Sequence, residues 1–122
     1  AAVSGRKLFF MRDSRGRQEE KGDRRMKFAF ILMGSGFDSE KDRAAIHGGE
    51  IQVAGVPDLS EGCRVAKELC DSGVNCIELC GAFGPEGAKA VIQATGGKIP
   101  VGYVTHLPEQ DAIYAEVFGE NK

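Results

Sequence analysis

Glu78 is the one charged residue in a nearly continuous apolar run, Val74-Asn-Cys-Ile-Glu-Leu-Cys80, and a glycine turn, Gly81-Ala-Phe-Gly84, follows it directly. A carboxylate among apolar neighbours has its charged form disfavoured unless a donor or cation pairs with it. Raised proton affinity of that kind suits a general acid or base near neutral pH. Cys80 stands just before a helix start, whose dipole lowers a thiol pKa, so it reads as a candidate nucleophile with His106 as its base. The turn is a third candidate. Gly81 and Gly84 let the backbone bend sharply, Pro85 suits the first position of a helix, and unpaired N–H groups there can hold an anion or a carbonyl. Gly81, Phe83 and Gly84 are therefore the expected ligand-binding wall, faced by Gly34 and Ser35 of a second glycine turn.

Each of these residues also has a plainer reading. Glu78 can bond backbone amides of the next loop and hold the turn in shape, and Cys80 can be an inert core thiol. Gly34-Ser-Gly36 is followed by Phe37 and Asp38 where a dinucleotide fingerprint needs a third glycine, so a tight turn is expected and no cofactor. Cys76 and Cys80, four residues apart on a strand, are separated by roughly 13 Å and cannot share a zinc ion. His47, His106 and Glu78 meet only if folding gathers them, and no metal site is expected. His47, before Gly48-Gly49, reads as a cation at a helix C-terminus. Cys63 and Cys70 read as packing residues.

The elements that must position this chemistry alternate. Lys27–Met33 reads as a first strand and Asp38–Ile46 as a weak helix, with Ser39 and Asp42 spaced as a capping box. Glu50–Val56 is a second strand. Asp58 and Glu61, spaced as N-cap and N3, open a stronger helix whose stripe is Leu59, Cys63, Ala66, Cys70 and Gly73. Val74–Cys80 is a third strand, with Cys76, Glu78 and Cys80 on one face. Pro85–Thr95 is a third helix with Ala88, Val91, Ile92 and Thr95 inward, Ile99–Thr105 a fourth strand, and Pro108–Phe118 a last helix.

The formal charge of −2 conceals an asymmetry. Residues 1–25 carry eight Lys or Arg against four Asp or Glu, whereas residues 26–122 carry eight against fourteen. An acidic body excludes nucleic acid as an expected partner, because phosphate neutralisation supplies most non-specific affinity. The basic segment reads as an extension or arm, with Met26 a natural start and Lys7–Met11 able to add to a sheet edge or a neighbouring subunit. Nothing approaches the roughly 18 apolar residues of a membrane span, so no membrane partner is expected. Four cysteines without a CxxC pair favour a reduced, cytoplasmic setting.

The string from Val74 to Ala88, followed by Ile99-Pro-Val-Gly-Tyr-Val104, resembles a family of small prokaryotic α/β domains of unknown function that carries an IELCG-x-FG-x-EGA motif. The resemblance spans roughly Met26 to Val104. It implies a compact cytoplasmic domain, maps the family's turn onto Gly81, Phe83, Gly84 and Gly87, and brings no activity with it.

The expectation is thus a single α/β domain over 26–122 behind the 1–25 extension. It is a small three-layer sandwich on a four-stranded, mainly parallel sheet of flavodoxin-like order 2-1-3-4. The crevice lies between strands one and three, and a narrow sheet with two free edges points to a homo-oligomer. The expected function is binding of a small anionic or carbonyl-bearing metabolite at the strand-3/helix-3 turn. Two rivals stand beside it: an enzyme for proton transfer or hydrolysis with Glu78 as base and Cys80 or His106 assisting, and a structural oligomer without a ligand.

Overall fold

The structure, a computed structural model, describes residues 8–12, 18–23 and 25–119. β1 (Leu8–Arg12) and β2 (Gln18–Asp23) pair antiparallel as a separate two-stranded sheet, so the apolar strand of the arm finds its partner within the arm. The second sheet contains β3 (Phe28–Met33), β4 (Arg43–Ile46), β5 (Ile51–Val56), β6 (Cys76–Leu79) and β7 (Val101–Tyr103), in the order β4-β5-β3-β6-β7. Its β5-β3-β6-β7 portion is parallel and has the expected 2-1-3-4 order. β4 adds a fifth strand, antiparallel, at the edge beside β5. No helix among the described residues is long and apolar enough to cross a membrane.

β4 replaces the helix expected over Asp38–Ile46. Asp38 Oδ1 accepts from the amides of Glu40 and Lys41 at 2.8 and 3.0 Å, and Asp42 Oδ2 accepts from the Asp38 amide at 2.7 Å. These local bonds offer the backbone an alternative to the helical ladder. The segment has only Ala44, Ala45 and Ile46 to bury, so a marginal nine-residue helix loses to strand pairing with β5. His47 then caps no helix. It lies in a short 3-10 turn at φ 53°, its Nε2 3.4 Å from Glu50 Oε1.

α1 (Leu59–Asp71) and α2 (Gly84–Ala94) follow their predicted signals. Asp58 caps α1, its carboxylate accepting from the Glu61 amide at 2.9 Å. The buried stripe is Gly62, Val65, Ala66 and Leu69, rotated from the expected one, and leaves Cys63 and Cys70 half-buried on its flank. In α2, Ala88, Val91 and Thr95 point inward as expected, while Ile92 is exposed.

The two helices pack on each other and on one face of the sheet, against Ala29, Ile31, Ala54, Ile77 and Leu79. Right-handed crossovers explain this. Both β5–α1–β6 and β6–α2–β7 run in the same direction across the sheet, so both helices fall on one face. The opposite face belongs to the β3-to-β5 connection, whose expected helix has become β4. Among the described residues no helix covers that face, and two layers stand where three were expected. Phe30 and Leu32 on β3 and Ile46 on β4 are exposed there.

Candidate functional site

Glu78 lies on the uncovered face. It pairs in register with Phe30 on one side and Gly102 on the other, and neighbouring residues of a parallel ladder share a face. Its carboxylate leans over Gly102, where a Cβ would come within 2.9 Å of Oε1. The Cys76 thiol donates to Glu78 Oε2 at 3.7 Å. Burial first, then the Glu78 charge and this bond, push the Cys76 thiol above the ordinary thiol range. Burial alone raises Cys63.

At the expected crevice the ends of β3 and β6 are bonded to each other. Cys80 Sγ accepts from the Met33 amide at 3.3 Å, and the Cys80 amide donates to Ile31 O at 3.0 Å, tying the two strand ends together. Gly34 and Ser35 belong to a tight turn in which the Phe37 amide donates to Gly34 O at 3.0 Å. The Phe37 ring folds back over Gly55, where a Cβ would meet it at 2.6 Å. Neither Gly34 nor Ser35 lines the cavity described next.

The open volume is one strand further along. A cavity of about 630 Å³ lies at the carboxyl ends of β6 and β7, displaced from the switch point. One wall is Cys80, Gly81 and Ala82 with Gly84 and Pro85 at the start of α2; the other is Tyr103 to His106. Tyr114 and Phe118 of α3 (Asp111–Phe118) complete it. Gly84, at φ 62° and ψ −175°, swings the chain from a 3-10 turn at Gly81–Phe83 into α2, a conformation essentially reserved for glycine. Pro85 then occupies the position where no amide hydrogen is required.

Phe83, expected in the ligand wall, points the other way. It is 5% exposed and wedges between α1 and α2, where a Cβ on Gly62 or Gly87 would lie 2.9 or 3.0 Å from it. Its part is to anchor the turn. His106 does line the cavity. Its ring stacks on Tyr114 with centroids 3.7 Å apart and 11° between planes, and Nε2–H donates to Asp111 Oδ1 at 2.8 Å. Tyr114 stacks in turn on Phe118 at 5.7 Å.

Of the predicted residues, then, Cys80, Gly81, Gly84 and His106 come together, while Glu78, Phe83, Gly34 and Ser35 do not join them. His47, His106 and Glu78 each have a different partner, and no three His, Cys, Asp or Glu side chains among the described residues converge as metal ligands. Tyr103, Tyr114, Phe118 and Asp111 were missed. The i, i+4 spacing of Tyr114 and Phe118, with Asp111 five residues after His106, was the available signal.

A family model described as a family of unknown function, DUF6506, matches residues 26–119, and the chain belongs to that family. No curated protein and no solved structure matches it.

Proposed function

We propose that this protein binds a small metabolite with an anionic or carbonyl group on an apolar or aromatic body, in the cavity between the Gly81–Gly84 turn and α3. The cavity itself carries the reading. About 630 Å³ falls within the range of ligand pockets, and its lining is mainly apolar with few polar groups. The first turn of α2 begins in its wall; the Phe83 and Gly84 amides there are already bonded to Cys80 O and Gly81 O, so it is the partial positive charge of the helix start that favours an anion or a carbonyl oxygen. Tyr103, Tyr114 and Phe118 suit the apolar body, and His106 and Thr105 supply the remaining polarity.

A second reading, proton transfer on the bound molecule, is supported by the His106–Asp111 contact. A carboxylate that accepts from Nε2–H leaves Nδ1 as the nitrogen able to take a proton. In that reading His106, and not Glu78, is the base, because Glu78 lies on the uncovered face.

A thermal-shift screen of carboxylates, keto acids and phosphate esters tests the binding. A ligand at 100 times its dissociation constant stabilises by about 2.7 kcal/mol, a rise on the order of 10 °C for a domain of this size. The rise should vanish in Ala82→Arg, which fills the cavity mouth, and shrink in His106→Ala. If no compound shifts the wild type, or if Ala82→Arg responds equally, the proposal is wrong.

A further inference from the structure

α3 forms part of the cavity wall, yet none of its eight residues is buried. Tyr114 and Phe118 face the cavity, and Ile113 and Val117 form a second stripe about a third of a turn away, 52% and 70% exposed. An eight-residue helix is too short to persist on propensity alone and needs an apolar surface to pack on. The His106–Asp111 bond and the His106–Tyr114 stack tie α3 to the end of β7.

We infer that a second copy of this chain supplies that surface, through a two-fold contact of α3 on α3 that also closes the outer side of the cavity. The exposed area supports this occupant. Val104, Leu107, Ile113, Tyr114, Val117 and Phe118 together expose roughly 700 Å², close to the ~800 Å² that each partner buries in a standard interface. An isologous contact sets the same stripe against itself, apolar side chain on apolar side chain. Its rim is acidic: Glu109, Asp111 and Glu116 flank it, and no Lys or Arg occurs between Lys98 and Lys122. Two copies therefore repel weakly at the rim, and salt strengthens their association by screening exposed charges. A basic partner would be released by salt instead.

Closure of the cavity rests on the ligand reading above; the self-association does not. Sedimentation equilibrium at about 50 µM and two salt concentrations tests it. The expected mass is twice 13.1 kDa, with a dissociation constant that falls as NaCl rises from 0.05 to 0.5 M. Ile113→Glu and Val117→Glu should be monomeric, and Leu32→Glu, on the uncovered sheet face, should remain a dimer. A monomeric wild type, α3 variants that keep the dimer mass, or dissociation by Leu32→Glu alone overturns the inference. Should a Glu variant fail to fold, Val117→Ala decides, because Val117 is outside the core: its dissociation constant must rise about tenfold. A dimer that no metabolite stabilises leaves the interface standing and defeats the ligand reading. Ligand stabilisation of a monomer does the reverse.

Discussion

Phe83 separates two views of the glycine turn, since a ligand-contacting ring and an inward anchor respond oppositely to changes in α1. Its ring lies so close to Gly62 that a Cβ there would be 2.9 Å from Cε2. In the wild type, Gly62→Ala should therefore destabilise by about 1–3 kcal/mol through overpacking. Phe83→Ala should cost about 3–5 kcal/mol as a buried aromatic truncation, a large share of the ~5–15 kcal/mol that holds such a domain together. In the Phe83→Ala background the clash is gone. Gly62→Ala should then be neutral or stabilising by up to about 1 kcal/mol, because alanine is the better helix residue in α1. The sign of one substitution reverses, a coupling of roughly 2–3 kcal/mol between directly touching residues. Urea unfolding followed by far-UV circular dichroism reads all four proteins, with Phe83→Leu as the milder partner if the alanine variant is too unstable. Equal costs of Gly62→Ala in both backgrounds would refute the anchoring of the turn by Phe83.

Two further expectations concern the same strand and turn. Gly84→Ala should lose about 1–3 kcal/mol from its positive φ alone, with no steric neighbour to blame, since nothing lies within 4 Å of the added Cβ; a variant as stable as wild type would remove the backbone argument. Cys76, whose thiol is raised by burial and then by Glu78, should alkylate only at pH above the ordinary thiol range, and Glu78→Gln should move that onset downward without restoring it fully. Peptide mass spectrometry of iodoacetamide labelling against pH measures the onset, and an unmoved onset in the variant contradicts the Cys76–Glu78 contact.

Much of this fold is legible in local chemistry. Asp58 and Glu61 mark the start of α1 through their spacing, and Gly84-Pro85 marks the start of α2. The parallel pairing of β5, β3, β6 and β7 follows from the alternation of strand and helix signals, and their order is that of the flavodoxin-like arrangement expected for it. The misreadings are equally local in origin. Ser39 and Asp42 have capping spacing, but the Asp38 carboxylate takes the nearby amides and the segment has too little apolar surface to hold a helix. The stripe assigned to α1 was displaced because glycine, with no side chain to show, occupies the closest contact at Gly62.

From the chain alone come the positions of the turn, its glycines and its proline, and the fact that Cys76 and Glu78 share one face of a strand. Period two cannot say which face the helices cover. That was decided by the direction of two crossovers and by the loss of a third helix to edge pairing, which together left Glu78 outside. Likewise, nothing in the spacing of His106, Tyr114 and Phe118 reveals that their stack forms one wall of a cavity. The cavity between that stack and the Gly81–Gly84 turn depends on where β7 ends relative to the start of α2, a distance that exists only once the sheet is assembled.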